Sequence, residues 1–171
     1  MELSPHSIKY RGKFPIPEFA TVNSSKNFHM PPFVCLLIDD DSDDHEFFEM
    51  ALRPMQSDVQ CVCMGDCTKA IEHLRNGIIA PPKLIFIDIN MPRMNGMQCL
   101  AKIKAEHFLA EIPIYMYSTS AEPAIVNECI NMGASGFLKK EVSIAALETK
   151  ISEILAKLQG SLICDSPVIR R

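Results

Sequence analysis

Asp39-Asp40-Asp41, Asp88, Asn90, Ser118-Thr119 and Lys139-Lys140 are the residues of this sequence whose types could do chemistry together. Each group follows an apolar stretch: Phe33–Ile38, Leu84–Ile87, Ile112–Tyr117 and Gly136–Leu138. Continuous apolar runs of this length are expected of strands buried on both faces. In an open parallel sheet, ligands bind outside the carboxyl ends of the strands, where the strand order reverses. Carboxylates, a hydroxyl and an ammonium are therefore expected in one crevice. Like charges held that close are costly unless a cation sits among them, and hard oxygen ligands with open water positions suit Mg²⁺. A hydroxyl and a lysine suit phosphoryl oxygens, which need donors and positive charge. The residues thus point to a Mg²⁺-dependent phosphoryl site with a carboxylate as the acceptor nucleophile. The plainer alternative is a set of solvated caps, and Asp43 or Asp44 is expected to cap the first helix.

The elements that must position these residues alternate. After the first strand, a helix over about 43–53 turns Phe47, Phe48, Ala51 and Leu52 inward and stops before Pro54. Val59–Met64 reads as a second strand, and Asp66 can cap a helix ending near Asn76-Gly77. Asn95 can cap the helix after the third strand. Ile125, Val126, Cys129 and Ile130 mark the next one, closed by Gly133. Ile144, Leu147, Ile151, Ile154, Leu155 and Leu158 keep helical spacing in the last. Such alternation implies an α/β fold: a doubly wound, five-stranded parallel sheet with right-handed crossovers and helices on both faces.

Here the chain resembles the receiver domains of two-component response regulators, in particular single-domain, chemotaxis-regulator-like ones. The matching pieces are LLIDDD (36–41), LIFIDINMPRMNG (84–96), IPIYMYSTS (112–120) and GASGFLKK (133–140), in family order and at family spacing. The resemblance covers about residues 33–158 and implies the flavodoxin-like strand order 2-1-3-4-5. It further implies that Asp88 takes a phosphoryl group from a phosphohistidine. Asp39 and Asp40 would position Mg²⁺, Asp40 being the direct ligand, and Asn90 would lend its backbone carbonyl. Ser118 matches the hydroxyl that swings toward the phosphoryl group, and Thr119 the small residue after it. Lys140 matches the lysine that pairs with the phosphoryl oxygen, and Phe137 the aromatic switch position; plain core packing is the alternative for Phe137. The family usually follows that lysine with a cis proline, whereas this chain has Glu141. A trans bond is favoured there, because cis before a residue other than proline costs about 2.5–4 kcal/mol. It could set the Lys140 ammonium further from Asp88, and Glu141 would bring a negative charge near the phosphoryl group.

Composition bounds the reading. The chain has 171 residues, 47% of them apolar and 22% charged, the profile of a globular protein with tails. No apolar run approaches the roughly 18 residues of a membrane span, and the first residues lack a secretory profile. The net charge of −4 argues against nucleic acid as the main partner. The 7 cysteines are odd in number and lie mostly in apolar segments, which fits reduced thiols and a cytoplasmic location. Cys61-x-Cys63-x₃-Cys67 has no paired zinc spacing and no companion histidine, and alternation puts Cys61 and Cys63 on one strand face. The 5 histidines do not cluster and are expected at the surface.

Three segments are expected: an irregular, mobile leader over 1–32, a receiver domain over 33–159 and a short tail over 160–171, too short for an output domain. The leader is rich in proline, and a docking peptide carrying Lys9, Arg11 and Lys13 is its alternative reading. The function expected is a stand-alone phosphoacceptor switch. It would take its phosphoryl group from a histidine kinase or histidine phosphotransfer protein. It would then hydrolyse its own acyl phosphate slowly, turning over no small substrate. Output would pass to an unknown downstream protein, through a surface around the fourth helix, fifth strand and fifth helix. The alternatives are a degenerate receiver that only binds protein, and a haloacid-dehalogenase-like phosphatase. The latter wants Asp-x-Asp after its first strand, whereas Asp88 follows the third and precedes Ile89-Asn90.

Overall fold

The apolar runs become the strands of one parallel sheet in the computed structural model, which describes residues 33–55 and 59–164. The strands are β1 (Phe33–Ile38), β2 (Val59–Met64), β3 (Leu84–Asp88), β4 (Ile114–Ser118) and β5 (Gly136–Lys139). They lie in the order β2-β1-β3-β4-β5, as expected. Between and after them run α1 (Ser42–Leu52), α2 (Cys67–Arg75), α3 (Gly96–Ala105), α4 (Pro123–Asn131) and α5 (Ile144–Cys164). The leader expected over 1–32, with Lys9, Arg11 and Lys13, lies outside the described residues, as do residues 165–171.

Alternation along the strands builds a core on each face. Leu36, Ile38, Ile85, Ile87 and Met116 pack with Cys67, Ile71, Cys99, Leu100 and Ile103 of α2 and α3. Cys35, Leu37, Phe86 and Tyr117 face the other way, onto Phe48 and Leu52 of α1 and Leu147, Ile151 and Leu155 of α5. With both faces covered, β3 is buried throughout and β1 from Val34 onward, which is why they read as continuous apolar runs.

Several boundaries and one bond differ from expectation. β4 starts at Ile114 rather than Ile112, since Pro113 has no N–H to give the ladder and contributes only its carbonyl, 3.0 Å from the Ile85 amide. The α1 cap is Asp41, not Asp43 or Asp44: its extended backbone precedes the first turn and its carboxylate accepts the Asp43 N–H at 2.9 Å. Asp66 caps α2 as expected, and Asn95 caps α3 in a reciprocal box with Gln98. α5 continues to Cys164, into the segment expected as tail. Reduced thiols throughout are not found, since Cys67 and Cys99 form a disulfide with their Cα atoms 5.8 Å apart. The first turns of α2 and α3 lie side by side on the same face, which brings the two thiols together. Cys35, Cys61, Cys63 and Cys129 remain free. Cys61 and Cys63 do share a strand face, with their sulfurs 3.7 Å apart.

Candidate functional site

The sheet winds from β1 outward to β2 on one side and through β3 to β5 on the other, so the chain reverses between β1 and β3. Ile38 pairs with Ile87 there, which sets Asp39 and Asp88 next to each other at the carboxyl ends. Asp39, Asp88 and Ser118 are the buried polar residues among the described ones, at 1%, 4% and 2% exposure. All three lie at this one edge. A folded chain rarely leaves carboxylates so dry unless they are paired or hold a cation.

Carboxylate oxygens of Asp39, Asp40 and Asp88 lie within 4.8 Å of one another. The Asp88 Oδ2 accepts the Asn90 backbone N–H at 2.7 Å. Asp39 Oδ1 accepts the Asp41 N–H at 3.0 Å. Burial pushes the Asp39 carboxyl above its ordinary range, and Lys140 pulls it back without cancelling the effect. Ser118 Oγ accepts a 3.4 Å hydrogen bond from the Asn90 side-chain amide, which links the end of β4 to the loop after β3. Thr119 follows it, exposed. Phe137, half-buried on β5 beside Met116, packs against the α2–α3 core.

Lys140 reaches this edge because its backbone N–H donates to the Ser118 carbonyl at 2.8 Å and carries the β5 pairing one residue further. Its ammonium lies 2.8 Å from Asp39 Oδ2, 3.0 Å from Asp88 Oδ1 and 2.5 Å from Asp44 Oδ2. The Tyr117 ring lies beneath it, with the centroid 5.1 Å away. Burial opposes the lysine's charge, but hydrogen bonds to Asp39, Asp44 and Asp88 outweigh it and hold the ammonium above its ordinary value. Lys139 is exposed, so the paired lysines have distinct roles.

The bond between Lys140 and Glu141 is trans, as all described peptides are. It does not draw the ammonium away from Asp88. The Glu141 carboxylate pairs with Lys150 of α5.

Two contacts had no signal in the sequence. Asp44, in the first turn of α1, is a lysine partner rather than a cap. The His45 Nε2–H donates to the Asp39 carbonyl at 2.6 Å, so this half-buried histidine braces the end of β1. Beside Asp40 opens a cleft of about 420 Å³, lined by Gly65, Asp66, Met91 and Arg93 among others.

Residues 35–152 match the family model of the response regulator receiver domain. The rice (Oryza sativa subsp. japonica) two-component response regulator ORR6 is 32% identical over 107 residues, 63% of this chain and 62% of its own length. ARR6 of Arabidopsis thaliana is 29% identical over 149 residues, covering 81% of this chain and 77% of that protein. This chain thus spans under two thirds of the rice relative's length. Among solved structures, the Mn²⁺-bound form of response regulator Rcp1 is 25% identical with a TM-score of 0.63, covering 73% of this chain and 93% of that one. The receiver domain of sensor histidine kinase PA1611 from Pseudomonas aeruginosa PAO1 was solved with a magnesium ion in its active-site cleft. It shares the fold at 19% identity and TM-score 0.62, over 76% of this chain and 99% of that one.

Proposed function

Because this chain belongs to the response regulator receiver family of two-component signalling, we propose that Asp88 is its phosphoryl acceptor in a phosphorelay. The observation that carries the reading is the Lys140 ammonium, 3.0 Å from a buried Asp88 whose neighbours are Asp39 and Asp40. The donor is a phosphohistidine of a histidine kinase or phosphotransfer protein. An Asp88 oxygen attacks phosphorus, a P–O bond forms, the P–N bond breaks, and the imidazole leaves and takes a proton from solvent. The product is an acyl phosphate. Water later attacks phosphorus, the P–O bond to Asp88 breaks, and inorganic phosphate leaves the free carboxylate.

The acidic trio fits a hard divalent cation, since three carboxylates this close repel one another without one. Asp39, Asp40 and Asp88, with the Asn90 carbonyl, would hold Mg²⁺, which when bound neutralises charge on the phosphoryl oxygens. Lys140 supplies the second positive charge. Ser118 and Thr119 would supply hydroxyl groups to the modified carboxylate, and Phe137 would follow Ser118 as the switch. The altered surface lies on α4, β5, α5 and the loop between the last two, where Ile130, Val142 and Ile144 are exposed apolar residues a downstream protein could cover.

The proposed domain begins at residue 33 and includes all of α5, through Cys164. We place it in the cytoplasm, a reading supported by the free thiols of Cys35, Cys61, Cys63 and Cys129 among the described residues and opposed by the Cys67–Cys99 bridge. No helix among the described residues is long and apolar enough to cross a membrane.

The test is incubation with acetyl phosphate and Mg²⁺, read as a mass shift of one phosphoryl group. The wild type should take it and Asp88→Asn should not. Asp88→Asn should also match or exceed the wild type in Mg²⁺-free thermal stability, because the near-isosteric amide relieves carboxylate repulsion. Labelling of Asp88→Asn at the wild-type rate would move the acceptor elsewhere.

A further inference from the structure

We propose that Asp44 is a positioning residue, which holds the Lys140 ammonium on the α1 side of the site and releases it when Asp88 carries a phosphoryl group; this rests on the function proposed above. Among the described residues, Lys140 is the one cation in contact with Asp39, Asp44 and Asp88, so its charge is divided three ways. The partners differ in what their release would cost. Asp39 and Asp88 have side chains 1% and 5% exposed, and an unpaired charge there would be left dry. The Asp44 side chain is 30% exposed, so water can replace the lysine. It nevertheless makes the shortest of the three contacts, at 2.5 Å.

Among the described residues, Lys140 is the one side-chain partner of Asp44. The α1 cap is made by Asp41. The tether of the ammonium is completed by the Tyr117 ring beneath it. A phosphoryl group on Asp88 brings roughly two negative charges and three acceptor oxygens. The ammonium can meet it by giving up the solvated partner and keeping the two dry ones. Asp44 thereby competes with the phosphoryl group for the same ammonium, slowing its arrival and weakening its hold once there.

Asp44→Asn should therefore phosphorylate about 2–5-fold faster from acetyl phosphate, and keep the acyl phosphate longer by a similar factor, the range of one partly solvated ion pair. Asp43→Asn, which removes the same charge one residue away, is the control and should change neither rate. In a Lys140→Gln background, adding Asp44→Asn should have no effect, since the pathway runs through the lysine. Equal acceleration in both backgrounds, or by Asp43→Asn, would reduce Asp44 to one more anion repelling the donor and overturn the proposal. A second readout needs no phosphorylation. The ¹⁵N-ammonium signals of Lys140 in Mg²⁺-free protein should be slowly exchanging in the wild type and Asp43→Asn, and broadened in Asp44→Asn. Signals unchanged by Asp44→Asn would also overturn it. A wild type that takes no phosphoryl group would defeat the proposed function instead, while the ammonium spectrum still decides whether Asp44 holds the lysine.

Discussion

Gly96 packs against the backbone of Asp88 so closely that a Cβ on it would lie 2.7 Å from the Ile89 Cα and 2.9 Å from the Asp88 carbonyl carbon. Its amide donates to the Ile89 carbonyl at 2.9 Å, which draws the start of α3 onto the end of β3. The neighbours are main-chain atoms of the acceptor and of the residue after it, so they cannot swing aside. Gly96→Ala should destabilise the domain by at least about 2–3 kcal/mol, at the upper end of overpacking effects, and slow phosphorylation in whatever remains folded. Urea unfolding checks the first and acetyl phosphate kinetics the second; a loss below about 0.5 kcal/mol would mean the loop accommodates a methyl group freely.

Leu84–Asp88 was legible from sequence because a strand buried on both faces leaves an unbroken apolar run with a polar residue at its end. The same logic brought Asp39, Asp88, Ser118 and Lys140 to one edge, since the fold class alone dictates where strand ends meet. Asp44 was not legible: one turn of helix offers two acids, Asp43 and Asp44, and only the angle at which α1 leaves β1 decides which faces the lysine. The Cys67–Cys99 bond was hidden for a related reason. Pairing depends on how α2 and α3 stand against each other, and an odd cysteine count gives no hint of it.

Asp40 and Asp41 are adjacent acids with separate tasks. Asp40 belongs to the trio whose oxygens lie within 4.8 Å, whereas Asp41 spends its carboxylate on the Asp43 amide. Asp40→Ala should weaken Mg²⁺ binding by about tenfold or more, a loss of about 1.4 kcal/mol, while leaving α1 intact. Asp41→Ala should instead cost about 1 kcal/mol of stability through the lost cap and leave the affinity nearly unchanged. Calorimetric titration with Mg²⁺ and thermal melts of both variants separate the roles, and the reverse order would shift the acidic register by one residue.

The Cys67–Cys99 bridge closes a loop with a sequence separation of 32 and joins the first turns of α2 and α3. Under a chain-entropy account such a loop stabilises by about 3–4 kcal/mol. Cys99→Ala should lower unfolding free energy by an amount of this order without reductant, and far less with it. Thiol counting in denaturant should find two more free thiols after reduction than before. Burial pushes the Cys35 and Cys129 thiols up, so both remain protonated at mildly alkaline pH and should resist alkylation in the native protein. Equal thiol counts with and without reductant would show that the bond does not form.

Glu141 stands where the family usually has proline, and its carboxylate forms an ion pair with Lys150 on α5. Both side chains are partly solvated, at 43% exposure for Lys150 and 23% for Glu141. Such pairs contribute about 0.2–1 kcal/mol. Glu141→Gln should therefore cost less than about 1 kcal/mol, and Lys150→Gln the same. The double variant should cost less than their sum, because the two changes remove one interaction. The ammonium of Lys140 is fixed by Asp39, Asp44 and Asp88. Glu141→Gln should accordingly leave phosphorylation and the acyl phosphate lifetime within about twofold of wild type, under about 0.5 kcal/mol. A several-fold longer lifetime in Glu141→Gln would instead place that carboxylate close enough to the phosphoryl group to repel it, and the pair with Lys150 would then be broken in the phosphorylated state.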